Sequence, residues 1–499
     1  MAVSSIDSER CIGCGICVEA CPMDVFRLDT TARARAERSP CSLACPLGVD
    51  QRTYHHLIRT DRLEDALEEM RRSHPMPAIT GRVCPHPCET ECTRQQIDSA
   101  ININALEQYL GDRLLSAGPP PVPDASGGKV AVIGSGPAGL AAAYFLALAG
   151  HRATVLEKDA RPGGLLRSAV PAFRLPGAVL DAQIEYYKAL GVGFRTGARV
   201  GEELSLDDLR SEGFEVFIAA TGASAALGLV VPGADAEGIV GAMQFLTSVK
   251  AGELREVSGN VVVVGGGSVA LDAARTAARL GADHVDVVCL EVLEPGLKDN
   301  MLALNEEIDE ALAEGIAVHP SKGVGSFRVK DGRVTTVSCV ECLSVRDEDG
   351  RFNPEYTDCT LPLEIPADTV VLAIGQGADA ALVPAAFAVD ARGLILADDR
   401  TREVAPGLFA AGDAVSGPAT VVEALAAGRR AALTAGRHLA GDDLAAGLGE
   451  QPPRTADLPE VVRSARAVDR MTEAPRVERP VVPPERRLAG FDETVLMLG

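Results

Sequence analysis

The chain has no tryptophan, and only 4% of its residues are aromatic. A core with few large rings closes mostly on small side chains, and the 50 glycines with abundant alanine suit tightly packed βαβ units. Basic residues are in deficit: 48 Lys and Arg stand against 70 Asp and Glu, a formal charge of −22. That balance excludes a broad nucleic-acid or anionic-membrane surface, since both select basic patches, and it suits basic partners. No membrane-spanning run is expected, because the apolar stretches at 130–149 and 260–280 are broken by glycines and by Asp272 and Arg275. The start, MAVSSIDSERC, lacks the apolar core of a secretory signal. Cysteine is scarce after residue 93, with nine of the 13 before it. Their two- and three-residue gaps, often beside proline, point to metal ligation in a reducing cytoplasm rather than to disulfides.

Residues 11–22 read CIGCGICVEACP, placing Cys11, Cys14, Cys17 and Cys21 in the C-x2-C-x2-C-x3-C-P spacing of a bacterial ferredoxin run. Closely spaced thiolates wrap a 4Fe–4S cube, and Gly13 and Gly15 let the backbone fold around it. Cys21 either closes that cluster or reaches to another one. A second group follows: Cys41, Cys45, Cys84, Cys88 and Cys92. Between its halves, Tyr54, Leu57, Ile58, Leu63, Ala66, Leu67 and Met70 recur at helical spacing and predict a helical hairpin. INALEQYLGDRLL predicts one more amphipathic helix. The stretch AGPPPVPDASGG, 117–128, reads as a linker.

Directly after it, KVAVIGSGPAGLAAAYFLALAGHRATVLE gives a strand, a turn through Gly134, Gly136 and Gly139, a small-residue helix and a second strand ending on Glu157. The glycines serve a tight turn, close approach to a pyrophosphate and close helix–strand contact, while the acid accepts from a ribose hydroxyl. NVVVVGGGSVALDAARTAARLGADHVDVVCLE repeats the pattern with Gly265, Gly267, Ser268, Val269 and Ala270, and a strand expected to end at Glu291. Two nested dinucleotide units predict one for FAD and one for NAD(P)H. An acid at the end of the second strand favours a ribose diol and repels a 2′-phosphate, and CLEVLEPGLK contains no arginine. NADH is therefore the expected donor. Cys339 and Cys342, a C-x2-C within a β-rich stretch, read as two buried or half-exposed thiols, with a redox disulfide as the sharper alternative. Cys289 and Cys359 read as core or surface thiols.

CPLGVD, GRVCPHPCETEC and AININALEQYL resemble the helical iron–sulfur domain of the glutamate synthase small subunit, which also begins dihydropyrimidine dehydrogenase. The resemblance runs from about residue 39 to 440. It implies two 4Fe–4S clusters, one held by Cys45, Cys84, Cys88 and the carboxylate of Glu107, with Cys41 and Cys92 belonging to the other. The C-x2-C that the family has before Cys41 is replaced by TARARAERSP, so the N-terminal run would lend ligands. Along the flavin the resemblance places Gly163, Gly164 and Leu165, then Thr221 and Gly222. It also implies that Asp413, after Gly412, bonds the ribityl chain of FAD, with Thr420 and Val421 facing the flavin ring. Gly375 and Gln376 would lie near the cofactors where the chain crosses back.

The expected architecture is α/β, with two nested Rossmann-like domains behind a ferredoxin-type segment and a helical iron–sulfur domain. The expected divisions are 1–30, 31–116, the linker 117–128, a FAD-binding domain at 129–228 and 366–441, a nicotinamide-binding domain at 229–365 and an extended arm at 442–499. The arm docks on its own body or on a partner. The implied activity is NADH oxidation with electrons delivered to ferredoxin or a larger catalytic subunit in a hetero-oligomer. A glutamate synthase small subunit, a disulfide reductase and a non-catalytic scaffold are the rivals.

Overall fold

A computed structural model describes residues 39–121, 126–357, 361–446 and 476–496. Cys11, Cys14, Cys17, Cys21 and Cys359 lie outside them. The described chain divides into two compact units: the first holds 39–74, 86–106 and 476–478, the second 75–85, 107–446 and 479–496.

In the first unit, helices Gln51–Arg59 and Leu63–Ser73 form the expected hairpin. Asp50 starts it by accepting from the Thr53 N–H and hydroxyl at 3.2 and 2.6 Å. Tyr54, Leu57, Ala66, Leu67 and Met70 are buried, as their spacing requires. The short helix Pro40–Ala44 packs against the first of them and against a second short helix, Pro87–Thr90, each with proline in its first turn. Buried Glu89 is held by the Asn104 N–H at 2.8 Å and by Arg476 at 2.7 Å.

The second unit takes the chain in order through β1 (Lys129–Ile133), α1 (Pro137–Leu148), β2 (Arg152–Glu157), α2 (Gly177–Ala189), β3 (Gly193–Thr196), β4 (Val216–Ala219) and β5 (Ala225–Ala226). It continues through β6 (Ile239–Gly241), α3 (Ala242–Lys250), β7 (Asn260–Val264), α4 (Ser268–Arg279), β8 (His284–Val288), α5 (Asn305–Ala313) and β9 (Ala317–His319). Four antiparallel strands follow, β10 (Lys322–Lys330), β11 (Arg333–Arg346), β12 (Phe352–Thr357) and β13 (Leu363–Pro366). The chain returns through β14 (Thr369–Leu372), β15 (Gln376–Gly377), β16 (Glu403–Ala405), β17 (Leu408–Ala410) and α6 (Val421–Ala440).

These strands make two doubly wound sheets, ordered β16-β17-β4-β1-β2-β3 and β6-β14-β7-β8-β9. The central strands are valine- and alanine-rich and buried on both faces, as parallel sheets with helices on each side demand. The ribbon β5–β15 joins the two sheets' domains. The sequence puts the return crossing at 366, but β14 pairs with β6 and β7, so the second sheet extends to Leu372. The expected strand to Glu291 stops at Val288, because β10 captures the chain there. Lys322 N–H bonds the Cys289 carbonyl and Ser321 N–H the Glu291 carbonyl, each at 2.9 Å.

The arm, over 479–496, docks on its own unit. Thr494 N–H donates to the Phe173 carbonyl at 3.1 Å, Glu493 accepts from Arg82 at 2.7 Å, and Arg479 bonds Gly81 and Gln108 at 2.8 Å.

Candidate functional site

The two glycine turns of the second unit are built alike. Gly134 N–H bonds the Leu156 carbonyl and Gly265 N–H the Val288 carbonyl, each at 2.8 Å. Both have φ in the left-handed range, +105° and +138°, and a Cβ would stand 2.3 Å from the Ala220 oxygen and 2.4 Å from the Ala373 oxygen. Only glycine fits either place.

Between the turns lies a cavity of about 1400 Å³, above the roughly 300–1,000 Å³ of a pocket for one ligand. The first fold lines it with Gly134, Gly136, Glu157, Gly164 and Leu165, then Thr221 and Gly222, then Asp413, Thr420 and Val421. The second lines it with Gly265, Gly267, Ser268 and Val269, then Glu291, then Gly375 and Gln376. Three expected residues support the walls instead. A Cβ on Gly139 would be 2.0 Å from the Gly134 oxygen, one on Gly412 2.7 Å from Ala138, and Ala270 is fully buried.

The polar groups of the first half are set for a ligand. Asp413 Oδ1 and Thr221 Oγ1 are buried without a hydrogen-bond partner. Burial raises the Asp413 carboxyl to about 7, against a hydrogen bond from the Ala419 backbone. Thr420 caps α6, its N–H and hydroxyl bonding Glu423 at 2.9 and 2.6 Å, so the positive end of a 20-residue helix faces the cavity. Glu157 accepts from the Ser135 N–H at 3.1 Å and from the Asp159 N–H at 2.9 Å, and Ser135 Oγ in turn accepts from Gly163 N–H at 2.8 Å. Hydroxyl-bearing and diphosphate groups match this donor and acceptor set, so the residues present fit a dinucleotide.

Sequence reasoning missed two parts of the wall. One is an ion triad: Arg174 pairs with Asp272 at 2.9 Å and Glu307 at 2.6 Å, and all three line the cavity. Burial, aided by Glu307 and opposed by Arg174, pushes Asp272 up to about 6, since two carboxylates share one cation. Behind it, Arg275 and Arg279 pair with Glu314 and cover Phe173 at 4.7 and 4.1 Å. Burial works to raise the Glu314 carboxyl, yet the two guanidiniums hold it below its ordinary value. The other missed part is contributed by β11 and β12, with Arg346, Phe352 and Tyr356 at the wall. No local motif announces strands that join the site from far beyond the turn in sequence.

Cys339 and Cys342 are buried, free and away from the cavity wall, and burial pushes Cys339 up to about 12 and raises Cys342. They are inert thiols of the inserted sheet. Cys289 is also buried but does line the cavity, and burial, aided by the Glu291 charge, pushes its thiol up to about 12.

Of the expected cluster ligands, Cys45 and Cys88 belong to the first unit, and Cys84 and Glu107 to the second. Glu107 is buried and accepts from the Thr80 hydroxyl. Burial raises the Cys41 thiol; Ser39 Oγ, 3.1 Å from its sulfur, opposes this, and the nearby Cys92 adds to it. Among the described residues no group of three His, Cys, Asp or Glu side chains is gathered as a metal site. None of the described helices is long and apolar enough to cross a membrane.

A family model described as pyridine nucleotide-disulphide oxidoreductase matches residues 128–428. Two further models match upstream: dihydropyrimidine dehydrogenase domain II with its 4Fe–4S cluster at 27–118, and a 4Fe–4S binding domain at 5–27. The NADP(+)-dependent formate dehydrogenase subunit beta of Moorella thermoacetica is 35% identical over 430 residues, covering 80% of this chain and 60% of its own. The chain thus spans less than two thirds of that relative. The glutamate synthase (NADPH) small chain of Mycobacterium tuberculosis strain H37Rv is 33% identical over 426 residues, covering 80% of this chain and 86% of its own. Among solved structures, Mycobacterium tuberculosis FprA in complex with NADPH shares the fold, with a TM-score of 0.53 at 19% identity over 63% of this chain and 85% of that one. The chain therefore belongs to the pyridine nucleotide-disulphide oxidoreductase family, as an NAD(P)H-dependent FAD oxidoreductase with 4Fe–4S domains related to the glutamate synthase small chain.

Proposed function

We propose that the chain takes electrons from NADH and delivers them to ferredoxin or to a partner oxidoreductase subunit in a cytoplasmic hetero-oligomer. The observation that carries this reading is a cavity lined by both glycine turns, which lets a hydride donor and its acceptor share one site. FAD, when bound, supplies the conversion of a two-electron hydride into single-electron transfers.

The chain's own residues bind and orient. Gly134, Gly136 and Gly139 shape the first turn for a diphosphate, and Glu157 takes the ribose of that half. Asp413 and Thr221 accept from or donate to the polyol, with Gly164, Leu165 and Gly222 packed along it. The positive end of α6, at Thr420 and Val421, would favour negative charge on the ring. Gly265, Gly267, Ser268 and Val269 hold the coenzyme's diphosphate, with Ala270 packed behind them, Glu291 holds its adenosine ribose, and Gly375 and Gln376 border the crossing. Met243 fixes the Gln376 amide, whose Nε2 lies 2.7 Å from its sulfur. For the metal we propose two 4Fe–4S clusters drawn from Cys11, Cys14, Cys17, Cys21, Cys41, Cys45, Cys84, Cys88, Cys92 and Glu107. Iron analysis should give about eight irons per chain; about four, or about twelve, overturns that count.

Relatives named as a subunit beta and a small chain support assembly with a larger partner. The disulfide-reductase reading loses its basis, since Cys339 and Cys342 do not line the cavity. The test is anaerobic addition of NADH to the flavin-loaded chain. Rapid bleaching of the flavin's visible absorption is the expected result, and no bleaching with NADH or NADPH would overturn it.

A further inference from the structure

Glu291 sits where the coenzyme's adenosine ribose is proposed to lie, and any part it plays in coenzyme choice rests on that reading of the site. Its carboxylate lies over the second glycine turn, close enough that a Cβ on Gly266 would meet Oε2 at 2.4 Å. The segment after β8 carries no arginine, but the structure brings one from elsewhere. Val345 N–H donates to Asp299 Oδ2 at 3.0 Å, and the Asp299 carbonyl accepts from Val292 N–H at 2.9 Å. Cys342 N–H bonds the Ser321 carbonyl, and Ser321 N–H bonds Glu291's own carbonyl, each at 2.9 Å. These bonds clip the end of β11 against the loop that carries Glu291.

Arg346, the last residue of β11, therefore joins Glu291 in the cavity wall, and its charge acts on the Glu291 carboxyl. It is exposed, donates one Nη1 bond to the Gly350 carbonyl at 3.2 Å, and forms no ion pair among the described residues. Lys322, the other cation of the inserted sheet at this wall, is already committed to Glu341. A guanidinium with spare donors beside a ribose site is the group that recognises a phosphate, because its planar fork matches the phosphate oxygens.

We propose that Glu291 and Arg346 together set the choice between a 2′-hydroxyl and a 2′-phosphate on the coenzyme. Glu291 accepts from the hydroxyl and repels the phosphate. Arg346 is the latent phosphate reader, its charge opposed at the ribose by that carboxylate, and it is supplied by an inserted sheet rather than by the dinucleotide fold itself.

The test measures binding of ADP-ribose and 2′-phospho-ADP-ribose to the flavin-loaded full chain by calorimetry, which needs no turnover. The wild type should favour ADP-ribose by about tenfold or more, and Glu291→Gln should improve the phosphorylated ligand by about 10- to 100-fold, the span of one or two charge-assisted contacts. Adding Arg346→Gln to that variant should erase the gain while ADP-ribose affinity stays within about threefold. If the gain survives in the double variant, or Arg346→Gln weakens both ligands equally, the inference is overturned. If neither ligand binds the wild type and NADH fails to bleach the flavin, the underlying reading of the site falls instead.

Discussion

The two dinucleotide folds of the second unit begin with one turn and end with different walls. In the first, α1 carries no charged residue and is buried on nearly every side, sealed by α6 where Gly428 would place a Cβ 2.1 Å from the Ala138 oxygen. In the second, α4 is amphipathic in charge: Asp272 and Arg275 are buried, and ion pairs tie Asp272 to Arg174 and Arg275 to α5. The third small residue of the turn also differs. A side chain at Gly139 would strike the Gly134 oxygen, whereas the matching Ala270 packs fully buried. At the second fold's wall stand exposed Leu302, Phe352 and Tyr356. A sealed apolar clamp suits a resident cofactor, and a charged, open-mouthed wall suits a coenzyme that comes and goes. The same local motif is thus specialised by what packs behind it.

The sharpest way to break this contrast is Gly139→Val. The added carbons meet backbone that cannot move aside, so the purified protein should lose bound flavin by about tenfold or more. Ala270→Gly in the second turn should retain flavin and lose only about 0.5–1 kcal/mol of helix stability. Equal flavin content in the two variants would refute the distinction.

Next in size is Arg174→Ala, which leaves Asp272 and Glu307 buried beside each other without their shared cation. Breaking such a site costs about 3–5 kcal/mol, read as a lowered denaturation midpoint. Restoration of most of that loss by Asp272→Asn in the same chain would identify the unpaired charge as the cause.

A smaller effect tests the first fold's carboxyl. Asp413, at about 7 in the folded chain, lies above its unfolded value of about 3.9. The folded flavin-free protein therefore holds this proton more tightly than the unfolded chain. Its contribution to stability is full at pH below about 4 and is lost as pH rises through about 7. Thermal melts of flavin-free protein should show this slope, and Asp413→Asn should flatten it. An unchanged slope would place the carboxyl in water.

The smallest expected effect is at Cys339 and Cys342. Changing both to alanine should cost stability but leave NADH-dependent flavin bleaching within about twofold, because buried, protonated thiols take no part in electron transfer. Loss of bleaching would restore the disulfide reading.

Residues whose role is local were legible in the chain. Gly134, Gly265 and Glu157 announce themselves because a turn, a helix N-terminus and a strand end lie within one βαβ unit. The hairpin of Tyr54 and Met70 was readable from its period alone. Arg174, Asp272 and Arg346 were not, because a charge inside an apolar-looking helix or at a strand end reveals no partner until distant segments meet. The reach of the second sheet to Leu372 was hidden for a related reason: β14 belongs to that sheet only through its neighbours β6 and β7.

By itself, the sequence determined that this chain carries two nested dinucleotide folds behind a cysteine-rich front, since glycine spacing and strand composition act over a few residues. Only the tertiary structure decided that both turns open on one cavity, that the arm over 479–496 folds back onto Phe173 and Arg82, and that a cation stands near Glu291. Those facts depend on which surfaces bury each other across long stretches of chain, and no local periodicity records that pairing.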